Sequence, residues 1–436
     1  MIKAYPSYKS SGIIWIKEIP SHWDCGQLKY KLARNDGGVW GDETPDDSEE
    51  GTIVLRSTEI TINGQWNFQN PARRNLNVTE IEKSSLKTGD LLITKSSGSE
   101  AHIGKTALVT PEIEQLEACY SNFMQRIHPQ QDMESHFLFF FMNSALAREQ
   151  FNYFSTTTTG LANLNSAIIG GLLVPFPSFS EQESIADYLD RKTAQIDTLI
   201  AKKRRQIELL QEQRIATINQ AVTKGLDPYV PMKDSGFDWL GKIPDHWNLK
   251  RIKYIAPRRV EQVNNDDEYG LLVSLDSIES KTGKLIGNGI FEGQGNKFAK
   301  GDVLFCKLRP YLCKVVIAPQ EGIAVSDLLV LTPSEEVENR YLFYRLIESN
   351  FISVVDSSTY GAKMPRASWD FISNLKCPLP PVAEQQAIAD ILDKQMSQID
   401  IMVEKSYQQI RILQEYRTAL ISEAVTGKID VRGGAE

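Results

Sequence analysis

The chain has 436 residues, 41% hydrophobic and 24% charged, which leaves room for about three ordinary domains and argues against wholesale disorder. No apolar run reaches the ~18 residues that span a bilayer, and the opening segment lacks an apolar stretch of signal-peptide length, so a cytoplasmic chain with no membrane association is expected. Five irregularly spaced cysteines exclude a disulfide framework, and a net charge of −8 counts against a simple basic coat for nucleic acid.

In chain order, the first marked segment is SGIIWIKEIPSHWDCGQLKY, Ser11 to Tyr30. Asp36 to Glu50 then carries seven carboxylates and no base, and is expected to be a solvated loop. Short β-rich runs follow at 50–60, 89–94 and 106–110, with a helical stretch at Ser135–Gln150. This reads as a compact α+β domain. Within it, GSEAHIGK (Gly98–Lys105) resembles a phosphate-cradling loop, but five residues separate its glycines where the motif needs four. The following TALVTP reads as a strand instead of the required helix, so nucleotide binding is not expected there.

Pro177 ends the domain, and Glu181–Lys224 contains neither proline nor glycine. At 1.5 Å per residue, roughly 42 residues make a rod of about 60 Å. Ile185, Ile196, Ile207 and Ile218 recur every eleven residues, a period that stays on one face of a nearly straight helix. Leu189, Ile200, Leu199 and Leu210 fill neighbouring positions.

The chain is then written again. SGFDWLGKIPDHWNLKRIKY at Ser235–Tyr254 repeats the first block, with Trp239, Pro244 and His246-Trp247 matching Trp15, Pro20 and His22-Trp23. Strand-like runs at 270–278, 301–306 and 314–318 and a helical stretch at Asn339–Ser349 make a second α+β domain. Pro380-Pro381 precede a second rod, Glu384–Thr426, with Ile388, Ile399, Ile410 and Ile421 at the same spacing and Leu392, Val403, Met402 and Leu413 beside them. Each apolar stripe must be buried, and the obvious partner is the other copy. A twofold axis perpendicular to the rods makes them antiparallel, with one globule at each end. Two unlike heads at fixed separation suit two sites on one long ligand, and duplex DNA is the natural candidate.

The sequence resembles the specificity subunit of type I restriction–modification systems. The resemblance rests on YPSYKSSGIIWIKEIPSHW and its second form VPMKDSGFDWLGKIPDHW, on GGVWGDE (Gly37–Glu43), on GDVLFCKLRPYLCKVVIA (Gly301–Ala318), and on the EQxxIADxLD helix starts at Glu181 and Glu384. It covers essentially the whole chain. The first copy departs from the pattern, with TKSSGSEAHIGK (Thr94–Lys105) where the second has its KLRPY element.

The resemblance implies an α+β fold in which two globular target-recognition domains are joined by two long antiparallel, coiled-coil-like α-helices in a pseudo-twofold internal repeat. The expected divisions are 1–175 for the first recognition domain, 176–227 for the first spacer helix, 228–378 for the second domain, and 379–436 for the second helix and tail. It further implies a non-catalytic subunit that reads a bipartite, asymmetric double-stranded DNA target. Two methyltransferase subunits would dock on the helices and two motor-nuclease subunits would join them. S-adenosylmethionine, ATP and Mg²⁺ would then belong to those partners and not to this chain, which is expected to hold no metal.

Candidate DNA contacts follow from chemistry at loops that leave strands. Lys307, Arg309 and Tyr311 come just after Val303–Cys306, where arginine can pair bidentately with guanine and lysine can meet phosphate. The same residues also fit a structural turn, with Pro310 fixing the backbone and Tyr311 packed inward. Lys95, Ser97 and Lys105 occupy the corresponding stretch of the first head. Late in each head stand polar segments, with Thr157 and Thr158 in STTTTGLAN, and Lys363 and Arg366 in SSTYGAKMPR. The His-Trp pairs lack a repeated nucleophile or acid partner, so they are read as packing each head on a rod and not as catalytic. No catalytic residue is expected. No [DNS]-P-P-[YF] string of an adenine methyltransferase occurs. The remaining alternative is a two-headed scaffold that binds proteins.

Overall fold

The computed structural model describes residues 4–44, 50–97, 102–155, 163–264 and 270–432. The chain divides into two compact units, one made of residues up to 202 together with those from 409 onward, the other of residues 203–408.

In the first unit the main sheet is antiparallel, in the order Leu32–Gly37, Met124–Pro129, Leu91–Thr94, Thr106–Leu108. In the second, Arg258–Arg259, Leu328–Leu331, Val303–Cys306 and Val315–Ile317 form the same antiparallel arrangement. Strand alternation divides the second core in two. Leu304, Val316, Leu328 and Val330 face a small sheet with Val273, Phe298 and Ala324. Val303, Phe305, Val315, Leu329 and Leu331 face the helices. With both faces covered, VLFC reads as a continuous apolar run and is buried throughout.

A Gly-Asp turn feeds the central strand in each unit. Gly89 and Gly301 both adopt φ +89°, which favours glycine. The next carboxylate accepts a backbone N–H three residues back, Lys87 to Asp90 at 2.7 Å and Ala299 to Asp302 at 2.8 Å. The small sheets differ. Thr52–Leu55 lies between Ala72–Asn75 and Cys119–Tyr120, whereas in the second unit Gly322–Ala324 takes the inner place between Gln294–Phe298 and Leu272–Val273.

The expected helix at Ser135–Gln150 is broken, and the one expected at Asn339–Ser349 stops three residues early and is followed by a further helix. Ser135–Met142 is followed by Ala145–Ser155, because the Ser144 hydroxyl accepts from Ala147 N–H and starts a new helix. Asn339–Leu346 is followed by Ser349–Ser357, with the Glu348 carboxylate accepting from Asn350 and Phe351 N–H. Asp36 is not part of a solvated loop either. Its carboxylate receives Nε and Nη2 of the buried Arg126 at 2.9 and 2.7 Å. Residues 45–49 of that acidic segment lie outside the described residues.

The rods are the helices Phe179–Lys224 and Val382–Val425. Both end on a left-handed glycine, Gly225 at φ +77° and Gly427 at φ +71°. In the first unit Gly427 abuts Trp23, the same indole that bonds Glu181 at the start of the other rod. In the second, Gly225 abuts Trp247 and Glu384. The end of one rod meets the start of the other in each unit, so the rods run antiparallel. Ile185, Ile196, Ile207, Ile218, Ile388, Ile399, Ile410 and Ile421 are all buried. Leu189, Ile200, Leu210 and Leu392 join them, but Leu199 and Met402 stand about half exposed, at 46% and 49%. An eleven-residue period marks the centre of a stripe and does not mark its edge.

Candidate nucleic-acid interface

The His-Trp pairs lie where head meets rod. His22 Nε2 and Trp23 Nε1 reach the Glu181 carboxylate at 2.9 and 3.3 Å, and His246 Nε2 and Trp247 Nε1 reach Glu384 at 2.8 and 3.0 Å. The adjoining glutamine completes the joint. Gln182 accepts from Glu134 N–H and donates to the Asp132 and Pro177 carbonyls. Gln385 does the same with Glu338, Glu336 and Pro380. Burial alone would raise the Glu181 carboxyl, but hydrogen bonds from His22, Trp23 and Ser178 outweigh it and hold the group below its usual range. These carboxylates are structural.

The candidate interface in each head is the loop leaving the central strand. In the second head, Lys307 N–H donates to the Asp327 carbonyl at 3.0 Å and Ala367 N–H to the Lys307 carbonyl at 2.9 Å, with Leu308 and Arg366 forming an isolated bridge. In the first head, Lys95 N–H donates to the Phe123 carbonyl at 3.1 Å and Leu164 N–H to the Lys95 carbonyl at 2.8 Å, with Ser96 and Asn163 forming the bridge. The backbone frame repeats while its side chains differ.

In the second head, Arg366 donates from Nε and Nη2 to the two Asp327 oxygens at 3.1 and 3.2 Å, and Lys307 Nζ lies 4.0 Å from the same carboxylate. Arg309 is exposed and left-handed at φ +48°, with Nη2 donating to the Lys363 carbonyl at 3.4 Å, and Lys363 is exposed. Pro310 is buried, while Tyr311 is half exposed and lines a cavity of 1140 Å³ with Ile218, Cys313 and Ile352. Lys307 and Arg366 thus meet at Asp327, while Arg309 is tied through the Lys363 carbonyl to the segment that carries Arg366.

The first head presents a more neutral set. Ser96 Oγ donates to Asn163 Oδ1 at 2.9 Å, and Gln125 Nε2 donates to Asn35 Oδ1 and Ser166 Oγ, each at 2.8 Å. Lys95 is half-buried beside Gly37, and Ser97 follows at the edge of the described residues. Thr157 and Thr158 lie outside the described residues.

Lys105, expected among the DNA contacts, is not on the interface. It is buried, and its Nζ donates to the Ser57 and Ile60 carbonyls at 2.6 Å each, so it pegs a turn inside the head and offers nothing to a ligand. Burial, followed by the nearby Arg148, depresses its ammonium pKa. Lys314 plays the same part in the second head, donating to the Leu275 carbonyl. Sequence reasoning also passed over Asp327 and Ser96, and it reached Asn163 only as the last residue of the polar STTTTGLAN segment. Lining up the strand exits of the two copies would have pointed to the bridge positions, but nothing local marks Asp327. Among the described residues no group of three or more His, Cys, Asp or Glu is placed to hold a metal ion.

The model of the type I restriction–modification DNA specificity domain matches the chain twice, at residues 47–209 and 245–411. The chain therefore belongs to that family, and it is a non-catalytic specificity subunit with two DNA-recognition domains. It is 23% identical to the putative type I restriction enzyme MjaX specificity subunit of Methanocaldococcus jannaschii, over 96% of each chain. A chain from a structure on complex assembly and conformational transition of the type I system superposes with a TM-score of 0.66 at 16% identity, covering 94% of this chain and 99% of that one. The HsdS subunit from Thermoanaerobacter tengcongensis gives 0.56 at 16% identity, over 94% and 98%. Both likenesses concern the fold.

Proposed function

We propose that each head reads one half of a bipartite, asymmetric duplex target, the first through Lys95, Ser96 and Asn163, the second through Lys307, Arg309, Lys363 and Arg366. One observation carries the reading: a single backbone frame at the strand exit bears two different polar sets. Polar groups on a fixed frame can match base edges, and changing them changes the bases matched. In this reading the rods set the unread spacer between half-sites.

The rods also supply docking faces. Leu209, Ile215, Ile391, Ile401 and Met402 in the second unit are each at least 40% exposed, so the rods carry large apolar side chains outside their mutual seam. Methyltransferase subunits are the proposed occupants, two per chain to match the repeat, with two motor-nuclease subunits completing the assembly. S-adenosylmethionine, ATP and Mg²⁺ are then bound by those partners.

Methylation-sensitive sequencing of a genome carrying the intact system tests the reading. The expected result is two short unlike half-sites separated by a fixed unread gap. Salt-sensitive binding of the assembled complex to that duplex should accompany it. A complex without sequence preference or salt dependence would instead be the protein-binding scaffold.

A further inference from the structure

We propose that Arg366 reads a guanine in the half-site of the second head, and that Asp327 is the positioning residue that aims it. The inference rests on the DNA-recognition reading above and adds a named base to it.

A guanidinium has five N–H donors in a rigid plane. Asp327 takes the side-on pair, Nε–H and one Nη2–H. Among the described residues, the Nη1 hydrogens and the second Nη2 hydrogen have no partner, and about a third of the side chain is exposed. One Nη1 hydrogen and that Nη2 hydrogen form the end-on fork that matches O6 and N7 of guanine in the major groove. Both residues are anchored. Arg366 and Tyr360 exchange two backbone hydrogen bonds at 3.1 Å, and the Asp327 carbonyl accepts from Lys307 N–H. The fork is therefore oriented before DNA arrives, which removes part of the ordering cost of a long side chain.

The carboxylate separates base from backbone. Phosphate binding needs only positive charge, and an aspartate beside the cation would repel the phosphate. In the groove the same carboxylate is tolerated, because its remaining lone pairs can accept from a cytosine amino group. Stability offers a weaker account, since partly exposed ion pairs contribute little. The first head uses the same device with other chemistry. Asn163 occupies the matching bridge position and is held by the Ser96 hydroxyl.

The test uses the complete restriction–modification system with the wild-type chain, Arg366→Lys, Arg366→Ala and Asp327→Asn, each mapped by methylation-sensitive sequencing. The half-site of the second head is identified as the one altered when residues 236–378 are exchanged for another head. Arg366→Lys keeps the charge and a partner for Asp327 but loses the fork. It should relax one G·C position in that half-site by about tenfold or more, and leave the other half-site intact. Asp327→Asn should relax the same position less. An unaltered motif in both Arg366 variants overturns the inference. So does a half-site without a G·C pair, a uniform loss across all sequences, or complete loss of methylation with Arg366→Lys. A wild-type map without a bipartite motif would instead refute the DNA-recognition reading itself.

Discussion

Trp247 donates its indole N–H to Glu384 at 3.0 Å, so the most deeply buried aromatic of the second repeat block is tied to the first turn of a rod. Trp23 and Glu181 repeat the bond. The joint explains why two blocks more than 130 residues apart recur together, since each holds the other half of one contact. Glu384→Ala leaves the indole N–H and His246 without their acceptor, at an expected cost of about 1.5–3 kcal/mol. Trp247→Ala should cost about 3–5 kcal/mol through the cavity it opens. Denaturant unfolding of both variants checks the order.

The rods offer a contrast between inside and outside. Ile388 is fully buried, and truncation to alanine should cost about 2–5 kcal/mol. Ile401 is 51% exposed, and Ile401→Ser should change stability by no more than about 0.5 kcal/mol. If the exposed face receives a methyltransferase, Ile401→Ser should nevertheless weaken its co-purification with the chain. Thermal melting and pull-down of the same two variants separate packing from docking.

Two salt bridges fix how the rods are matched. Arg417 donates to Asp197 in the first unit, and Arg214 pairs with Asp400 in the second, all four side chains being at most 30% exposed. Arg417→Glu places like charges together and should destabilise the first unit by about 1–3 kcal/mol. Asp197→Arg combined with Arg417→Glu should recover a substantial part of that loss. A double-mutant cycle measures the coupling, which is zero if the pair is only a surface contact.

What the sequence made legible was whatever it wrote twice or wrote periodically. The rods, their buried isoleucines and the His-Trp and Glu-Gln blocks all carry their signal within a few dozen residues. Other features depended on distant partners. Lys105 looked like a surface cation after a glycine loop, and only the carbonyls of Ser57 and Ile60 show that it points inward. Asp36 looked like one of many solvated acids until Arg126, 90 residues away, claimed it. The exchange of neighbours in the small sheets has no local signal either, because strands of similar composition can pair in either order.

The buried lysine gives a prediction that distinguishes fold from readout. Lys105→Met removes an ammonium that satisfies two backbone carbonyls, the buried one of Ile60 and the part-buried one of Ser57, while keeping an apolar chain of similar length. The first head should lose about 1–3 kcal/mol, because the carbonyls are left unpaired. The methylated motif should not change, since Nζ faces the interior. A variant with normal stability and an altered half-site would return Lys105 to the surface. Melting curves and methylation maps on the same preparation decide it.

The joint at Glu181 also has a pH signature. Its carboxyl is held below the ordinary value of 4.5, because the bonds from His22, Trp23 and Ser178 outweigh the effect of burial. A carboxyl depressed by folding adds stability above its unfolded value and loses that contribution as pH falls through the lower folded value. Glu181→Gln keeps an acceptor for the indole but cannot titrate. Its melting temperature should therefore lie below that of the wild type by a constant gap near neutral pH. The gap should shrink as pH drops below about 4.5, as protonation makes the two side chains alike. Paired melting curves from about pH 7 to pH 3 measure it. A gap that stays constant across that range would mean the carboxylate is not the form that secures the rod to its head.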